Sequence, residues 1–288
     1  MAPDRADITR LIEAALAEDI GSGDLTSLAT VPASRMAHAR LVAKAEGVIA
    51  GMEVTARVFE TVDPHVAVER ALDDGARVQR GDLVLQVRGS ARSILAAERT
   101  ALNFLGRLSG IATLTGRYVE AISGTKALIV DTRKTTPGWR HLEKAAVRAG
   151  GGANHRLGLY DMVLIKENHI RAAGGIVAAV KVCREYFREN GVTGVAVEVE
   201  TTNLSEVEET LAAGCDRIML DNMLLDEIRA AVRYIRSHVP TPGIEASGSM
   251  TLGRVRAVAE AGVDFISVGA LTHSAAALDL SLLFSEQP

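Results

Sequence analysis

The sequence predicts an α/β protein: a C-terminal α/β barrel of about six parallel strands, preceded by an N-terminal α+β, sandwich-like domain. Three observations predict it. From Ala127 onward six short apolar runs (ALIVD, MVLIK, VAVEVE, RIMLD, GIEAS and FISVG) alternate with helical segments, the pattern of parallel strands joined by crossover helices. Six such units suit a closed or nearly closed barrel better than a wide open sheet. Before Ala127 the pattern differs, with short runs broken by Gly, Asp and Pro. No Gly/Ser-rich or Pro-rich linker separates the halves, so the change of pattern sets the boundary, with residues 1–115 in the first domain and 116–288 in the barrel.

The elements follow in order. Ile8, Leu11, Ile12, Ala15 and Leu16 recur at helical spacing and Gly21 follows them, which predicts a helix over Ile8–Glu18. GSGDLT reads as a turn, and Ala37–Val78 as strand-rich. The segment DDGARVQRGDLVLQVRGS resembles the hairpin of biotinyl or lipoyl carrier domains, but its turn lacks the carrier lysine, so no prosthetic role is expected. Ser93–Ile122 reads as a long helical stretch, interrupted near Gly106, Gly110 and Gly116.

Composition excludes several functions. The formal net charge is −4 and aromatic residues make up 3%. With no interleaved basic and aromatic residues, nucleic acid is a poor partner. No apolar run approaches the ~18–20 residues that span a membrane, and the N-terminus lacks the basic and apolar regions of a secretory signal. Cys183 and Cys215 have no metal-ligand spacing, and no two histidines are paired for zinc. Free thiols in a cytoplasmic enzyme are expected.

Against this acidic background one stretch is basic. Val130–His169 carries Arg133, Lys134, Arg140, Arg148, His155, Arg156 and Lys166, and two of its apolar runs end on cations, as LIV-DTRK and MVLI-K. A cation at the mouth of a buried strand is costly unless an anion answers it, so a small, multiply anionic ligand is expected. Barrel active sites lie at the C-terminal ends of the strands, and here those ends are polar throughout: Arg133 and Lys134, Lys166, Glu200, Asp221, Ser247 and Gly269. EASGSM and VGALTHS each precede a helix with small residues, which lets backbone N–H groups face a phosphate; Ser247, Gly248, Ser249, Gly269 and Ala270 are the candidates. Glu200 and Asp221 end consecutive strands. They could hold Mg²⁺ through oxygen ligands, bind sugar hydroxyls, or offset a positive transition state. Glu198 shares the Glu200 side of its strand by period-two alternation and could share that role. A basic pocket, a phosphate loop and a carboxylate pair together describe an enzyme that joins an acidic ring to a phosphorylated sugar.

The set GDLTS, ERTALNFLGRLSGIAT, DTRKTTPG, GGGANHRLGLYDMVLIKENH, EVE, LDN, EASGSM and VGALTHS resembles the quinolinate phosphoribosyltransferase family over nearly the whole chain, from about Leu11 to Leu280. DTRKTTPG and the NHR-containing segment carry the specificity. The resemblance implies quinolinate and phosphoribosyl pyrophosphate as substrates, Mg²⁺ as cofactor, and nicotinate mononucleotide, pyrophosphate and CO2 as products, in de novo NAD biosynthesis. It also implies a homodimer with shared sites, in which the N-terminal domain covers the active site and the last residues return to that domain.

By position, Arg99 resembles the family arginine that enters the partner's site. Arg133, His155, Arg156 and Lys166 match the residues that grip the quinolinate carboxylates, with Thr132 beside them. Lys134 matches a lysine near the reacting ends, and Glu200 and Asp221 match the acidic pair at ribose and metal. Ser247, Gly248 and Ser249, with Val268, Gly269 and Ala270, match the loops at the 5′-phosphate. Trp139 and Ser249 depart from the expected pattern without changing a charged group. The alternatives are a related phosphoribosyltransferase acting on another anionic ring, a barrel aldolase using Lys134 or Lys166, and a carrier module.

Overall fold

The structure, a computed structural model, describes residues 5–238 and 241–285. In chain order its elements are α1 (Arg5–Ile20), α2 (Leu25–Thr30), β1 (Met36–Ala43), β2 (Gly47–Val48), α3 (Met52–Val62), β3 (Ala67–Arg70), β4 (Arg77–Val78), β5 (Leu83–Ser90) and α4 (Ala91–Ala121). There follow β6 (Leu128–Val130), α5 (Arg140–Ala149), β7 (Val163–Ile165), α6 (Glu167–Ala173), α7 (Ile176–Glu189), β8 (Val197–Thr201) and α8 (Leu204–Ala213). The chain ends with β9 (Arg217–Asp221), α9 (Leu225–Arg236), β10 (Gly243–Ser247), α10 (Leu252–Glu260), β11 (Phe265–Ser267), α11 (Ala270–His273) and β12 (Leu280–Phe284).

Two compact units result. The first comprises Met1–Gly116, Thr135–Gly151 and Ala270–Pro288, and the second Arg117–Lys134 and Gly152–Gly269. In the first unit an antiparallel sheet runs β12-β1-β5-β3, with β2 and β4 as a separate pair. Alternation along β1 and β5 buries Ala39, Leu41, Leu85 and Val87. Near the chain's end, β12 joins the same sheet by pairing with β1.

Four expectations for this region need correction. Ala37–Val78 is not all strand: Val54, Val58 and Phe59 recur at helical spacing and are buried on α3. The carrier-like segment is not a hairpin, because β4 pairs with β2 while β5 lies between β1 and β3. Its helix α4 is uninterrupted over 31 residues. The glycines there serve close approach, since a Cβ on Gly110 would run into the Ala276 carbonyl and one on Gly106 would lie 3.1 Å from that of Leu278. GSGDLT also ends as a helix start, with the Asp24 carboxylate accepting from Ser27 N at 3.0 Å as the N-cap of α2.

The second unit is the expected barrel. All six apolar runs form strands, in the parallel order β6-β11-β10-β9-β8-β7. The strands therefore follow one another around the sheet except at one seam, between β6 and β7. Ala153 partly fills that seam by a parallel bridge to Val130. Val197 and Val199 pack outward with Ile176, Ala179 and Val180 of α7. Alternation then turns Glu198 and Glu200 inward, and the register carries the inward face to Arg217 and Met219 and on to Glu245 and Phe265. The outside of this sheet is apolar beneath helices, and its inside is charged.

Candidate active site

The charged interior is organised in depth. Glu198 and Glu245 are fully buried, and His155 reaches between them. Its Nε2 lies 3.0 Å from Glu198 Oε2 and 3.4 Å from Glu245 Oε2, with the ring itself 6% exposed. A side chain that leaves the seam and meets both β8 and β10 requires the sheet to curl round it. Arg217 donates to the same Glu245 oxygen at 3.1 Å and stacks over Phe265 at 3.9 Å. Burial opposes charging His155, but the two carboxylates outweigh it and hold its pKa up to about 9. Arg156 N lies 2.8 Å from Nδ1, a contact that as a hydrogen bond would need a bare nitrogen. That bond favours the ring protonated on Nε2 alone and so opposes the charging that the two carboxylates favour. Burial raises the Glu198 pKa, whereas His155 and Arg217 overcome burial and lower that of Glu245.

Above this floor lie the predicted cations. Asp131, fully buried at the end of β6, accepts from His155 N at 3.0 Å and from Asn154 Nδ2 at 2.5 Å. It ties the seam segment to the chain that continues into Thr132, Arg133 and Lys134. Thr132 Oγ1 turns that chain by accepting from Lys134 N at 3.1 Å, and the Lys134 side chain is exposed. Arg156 donates to Met162 O at 3.1 Å. Burial and the charge of nearby Arg133 both lower its pKa, and both arginines are half-buried. Exposed Lys166 is bound to Glu200, Nζ to Oε2, at 2.8 Å.

The register answers which glutamate reaches the mouth. Glu200 is half-exposed beside Lys166, while Glu198 is sealed beneath. Asp221 stands two residues beyond Met219, the partner of Glu200, and accepts from Asn222 Nδ2 at 2.8 Å. His155, grouped by sequence with the carboxylate-gripping residues, belongs to the floor instead. Its Nε2 faces two protein carboxylates.

The loops after β9 and β10 are strained together. Asn222 and Ser249 adopt positive φ of 54° and 45° without being glycine, and Gly248 has φ 88°. A Cβ on Gly248 would run into the Asn222 side chain. Arg254 clamps both loops by donating to Met223 O at 2.6 Å and Gly248 O at 3.4 Å, and Tyr118 holds Met250 O at 3.0 Å. Ser247 follows on from β10. Val268 is buried and donates to Val130 O at 2.9 Å, leaving Gly269 at the end of this unit. Such strain gathers at functional sites. Ala270 opens α11 in the first unit, as Arg99 lies exposed on α4 of that unit. Also in the first unit, Glu143 is fully buried and anchors the loop that follows Lys134. It accepts from Thr136 N at 3.1 Å, Thr136 Oγ1 at 2.8 Å and Arg107 at 3.0 Å.

Asp131, Arg217, Asn222 and Glu245 escaped the sequence reading. Asp131 and Asn222 stood inside quoted motifs, DTRK and LDN. Glu245 carried one available signal, a carboxylate in the middle of the apolar run GIEAS. Arg217 opens RIMLD as an ordinary charge before a strand, and nothing local distinguished it.

Parallel strands whose C-terminal ends carry converging charge define an α/β-barrel enzyme. Its family is particular: residues 24–109 match the N-terminal domain and 111–283 the C-terminal domain of quinolinate phosphoribosyl transferase. The chain belongs to that family. It is 47% identical over 292 residues to the chloroplastic nicotinate-nucleotide pyrophosphorylase [carboxylating] of Arabidopsis thaliana, covering 96% of this chain and 82% of that protein. It is 47% identical over 267 residues to a probable enzyme of the same name from Synechocystis, covering 93% and 89%. The solved nicotinate-nucleotide pyrophosphorylase of Francisella tularensis superposes with a TM-score of 0.92 at 40% identity over 98% of each chain. Among the described residues no helix is long and apolar enough to cross a membrane.

Proposed function

We propose that this enzyme transfers the phosphoribosyl group of phosphoribosyl pyrophosphate to quinolinate, releasing pyrophosphate and CO2 and leaving nicotinate mononucleotide, in de novo NAD biosynthesis. The observation that carries this reading is half-buried Arg156, whose pKa burial and the charge of nearby Arg133 both lower. Quinolinate carries two neighbouring carboxylates, and guanidinium forks match carboxylate oxygens two at a time. Lys166 adds a compact charge beside Glu200, and Thr132 and Lys134 flank Arg133 in the chain.

The ring nitrogen of quinolinate attacks the anomeric carbon, forming the C–N bond as the C–O bond to pyrophosphate breaks. Positive charge grows on the ribose, and the carboxylates of Glu200 and Asp221 offset it. Ser247, Gly248 and Ser249, with Val268, Gly269 and Ala270, hold the 5′-phosphate. The pyridinium formed is an electron sink, so the adjacent C–CO2⁻ bond breaks, its electron pair stays on the ring carbon, and that carbon takes a proton. Lys134 is the proton source we favour, because its exposed ammonium follows directly on the arginine that holds the ring.

Glu200 and Asp221 offer hard carboxylate oxygens that fit Mg²⁺, which when bound supplies neutralising charge for the pyrophosphate. Lys166 already occupies one Glu200 oxygen, so Asp221 and the other Glu200 oxygen would be the donors left to hold the ion. The working assembly is a homodimer in which exposed Arg99 enters the partner's site, and the free thiols of Cys183 and Cys215 suit the cytoplasm. An aldolase reading has no support here, since Lys166 is ion-paired and Lys134 exposed, whereas a Schiff-base lysine needs an apolar pocket.

The test is release of labelled CO2 from carboxyl-labelled quinolinate. Release that depends on phosphoribosyl pyrophosphate and Mg²⁺, with one nicotinate mononucleotide formed per CO2, supports the reaction. Folded protein that releases none contradicts it.

A further inference from the structure

We propose that Glu198 and Glu245 are positioning residues: gripping His155 from two strands, they lock the seam segment Ala153–Arg156 in place and so fix Arg156 beside Arg133. The inference rests on the reading of those arginines as the quinolinate site.

The seam is where the barrel is weakest, because β6 and β7 share no ladder. What fills it is held from two sides. On the β6 side, Ala153 donates to Ile129 O at 2.8 Å, and Asp131 takes Asn154 Nδ2 and His155 N. Toward the axis, the His155 ring is the anchor, held at one nitrogen by Glu198 from β8 and Glu245 from β10. Arg217 of β9, between those strands in the sheet, pins Glu245 in turn. One residue on from that anchor is Arg156.

This arrangement makes little sense as core packing. A buried ion-pair cluster generally stabilises no better than apolar side chains of the same volume. Here it carries an added cost, because Glu198 Oε1 and Glu245 Oε1 are both buried without a hydrogen-bond partner. What charge and directed hydrogen bonds supply, and apolar contacts do not, is a fixed orientation. The trio has the makeup of a metal site, and among the described residues it is the one group of three or more His, Cys, Asp and Glu side chains close enough to hold an ion. Yet Arg217 already lies 3.1 Å from the Glu245 oxygen that faces His155. A further cation at that oxygen would sit against the guanidinium.

The experiment is a double-mutant cycle in the full-length enzyme. Glu245→Gln and Glu198→Gln are each made in the native background and with Arg156→Ala, and KM for quinolinate, KM for phosphoribosyl pyrophosphate, kcat and the thermal midpoint are measured. Glutamine keeps the volume and removes the charge. We expect each single variant to raise KM for quinolinate about tenfold or more, to leave KM for phosphoribosyl pyrophosphate within about twofold, and to have little further effect once Arg156 is alanine. A merely structural role would shift the midpoint without separating the two KM values. Unchanged KM for quinolinate, or effects that add fully to Arg156→Ala, overturns the proposal. If Glu245→Gln fails to fold, Glu198→Gln carries the cycle, since Arg217 donates its hydrogen bond to Glu245. Loss of fold in both assigns the carboxylates to stability and overturns it. So does stoichiometric metal in the native enzyme that Glu245→Gln removes. The native enzyme serves as the control: inactivity with quinolinate there sinks the functional reading, whereas native activity with indifferent variants sinks this inference alone.

Discussion

Arg133 and Arg156 are two like charges that the fold brings together, and that adjacency makes them the most informative residues of the site. If each forms a charge-assisted fork with one carboxylate, truncating one removes contacts of about 1.5–3 kcal/mol. Arg133→Ala is therefore expected to lower kcat/KM for quinolinate by about 10–100-fold, and steady-state kinetics of folded variant protein checks it. His155 gives a second prediction at this level. Its folded pKa is raised to about 9 from an ordinary 6.5. The stabilisation from its ion pairs with Glu198 and Glu245 is thus fully present below about pH 6.5 and is lost as pH rises through about 9. The loss is on the order of 3 kcal/mol. Urea unfolding from pH 6 to 9.5 should show the native protein weakening across that window and His155→Gln changing far less.

Secondary structure shows how far a single sequence can be read. Every barrel strand was visible as a short apolar run, because burial on the outer face and a polar end are local properties. Lys166, Glu200 and Asp221 were legible for the same reason, as charges just past such runs. The floor was not. That Glu198 and Glu245 meet at His155 depends on the register of three strands and on curvature, none of which any window of sequence contains. Helix α4 taught a related lesson. Its glycines looked like breaks, but the helix needs them where the carbonyls of Ala276 and Leu278 press against it. Gly110→Ala should consequently destabilise the protein by about 1–3 kcal/mol through overpacking, seen as a lower midpoint in chemical unfolding. A variant as stable as the native protein would mean that the Ala276 carbonyl yields at little cost.

For the whole assembly, the proposal that matters most is the shared site. Arg99 lies exposed on the first unit, and the arginine pair belongs to the second. If Arg99 acts in the partner's site, inactive Arg99→Ala and Lys134→Ala proteins should regain roughly a quarter to a half of native activity when subunits exchange, because one of the two sites in each hybrid is then intact. Absence of recovery after demonstrated exchange counts against sharing.

A site built for two carboxylates should show itself in selectivity. A ligand with one carboxylate would leave a half-buried cation unanswered and should be rejected. Parallel assays with quinolinate and with nicotinate, each with phosphoribosyl pyrophosphate and Mg²⁺, are predicted to give nicotinate mononucleotide from quinolinate and negligible product from nicotinate. Comparable turnover of the two substrates would contradict the two-carboxylate site.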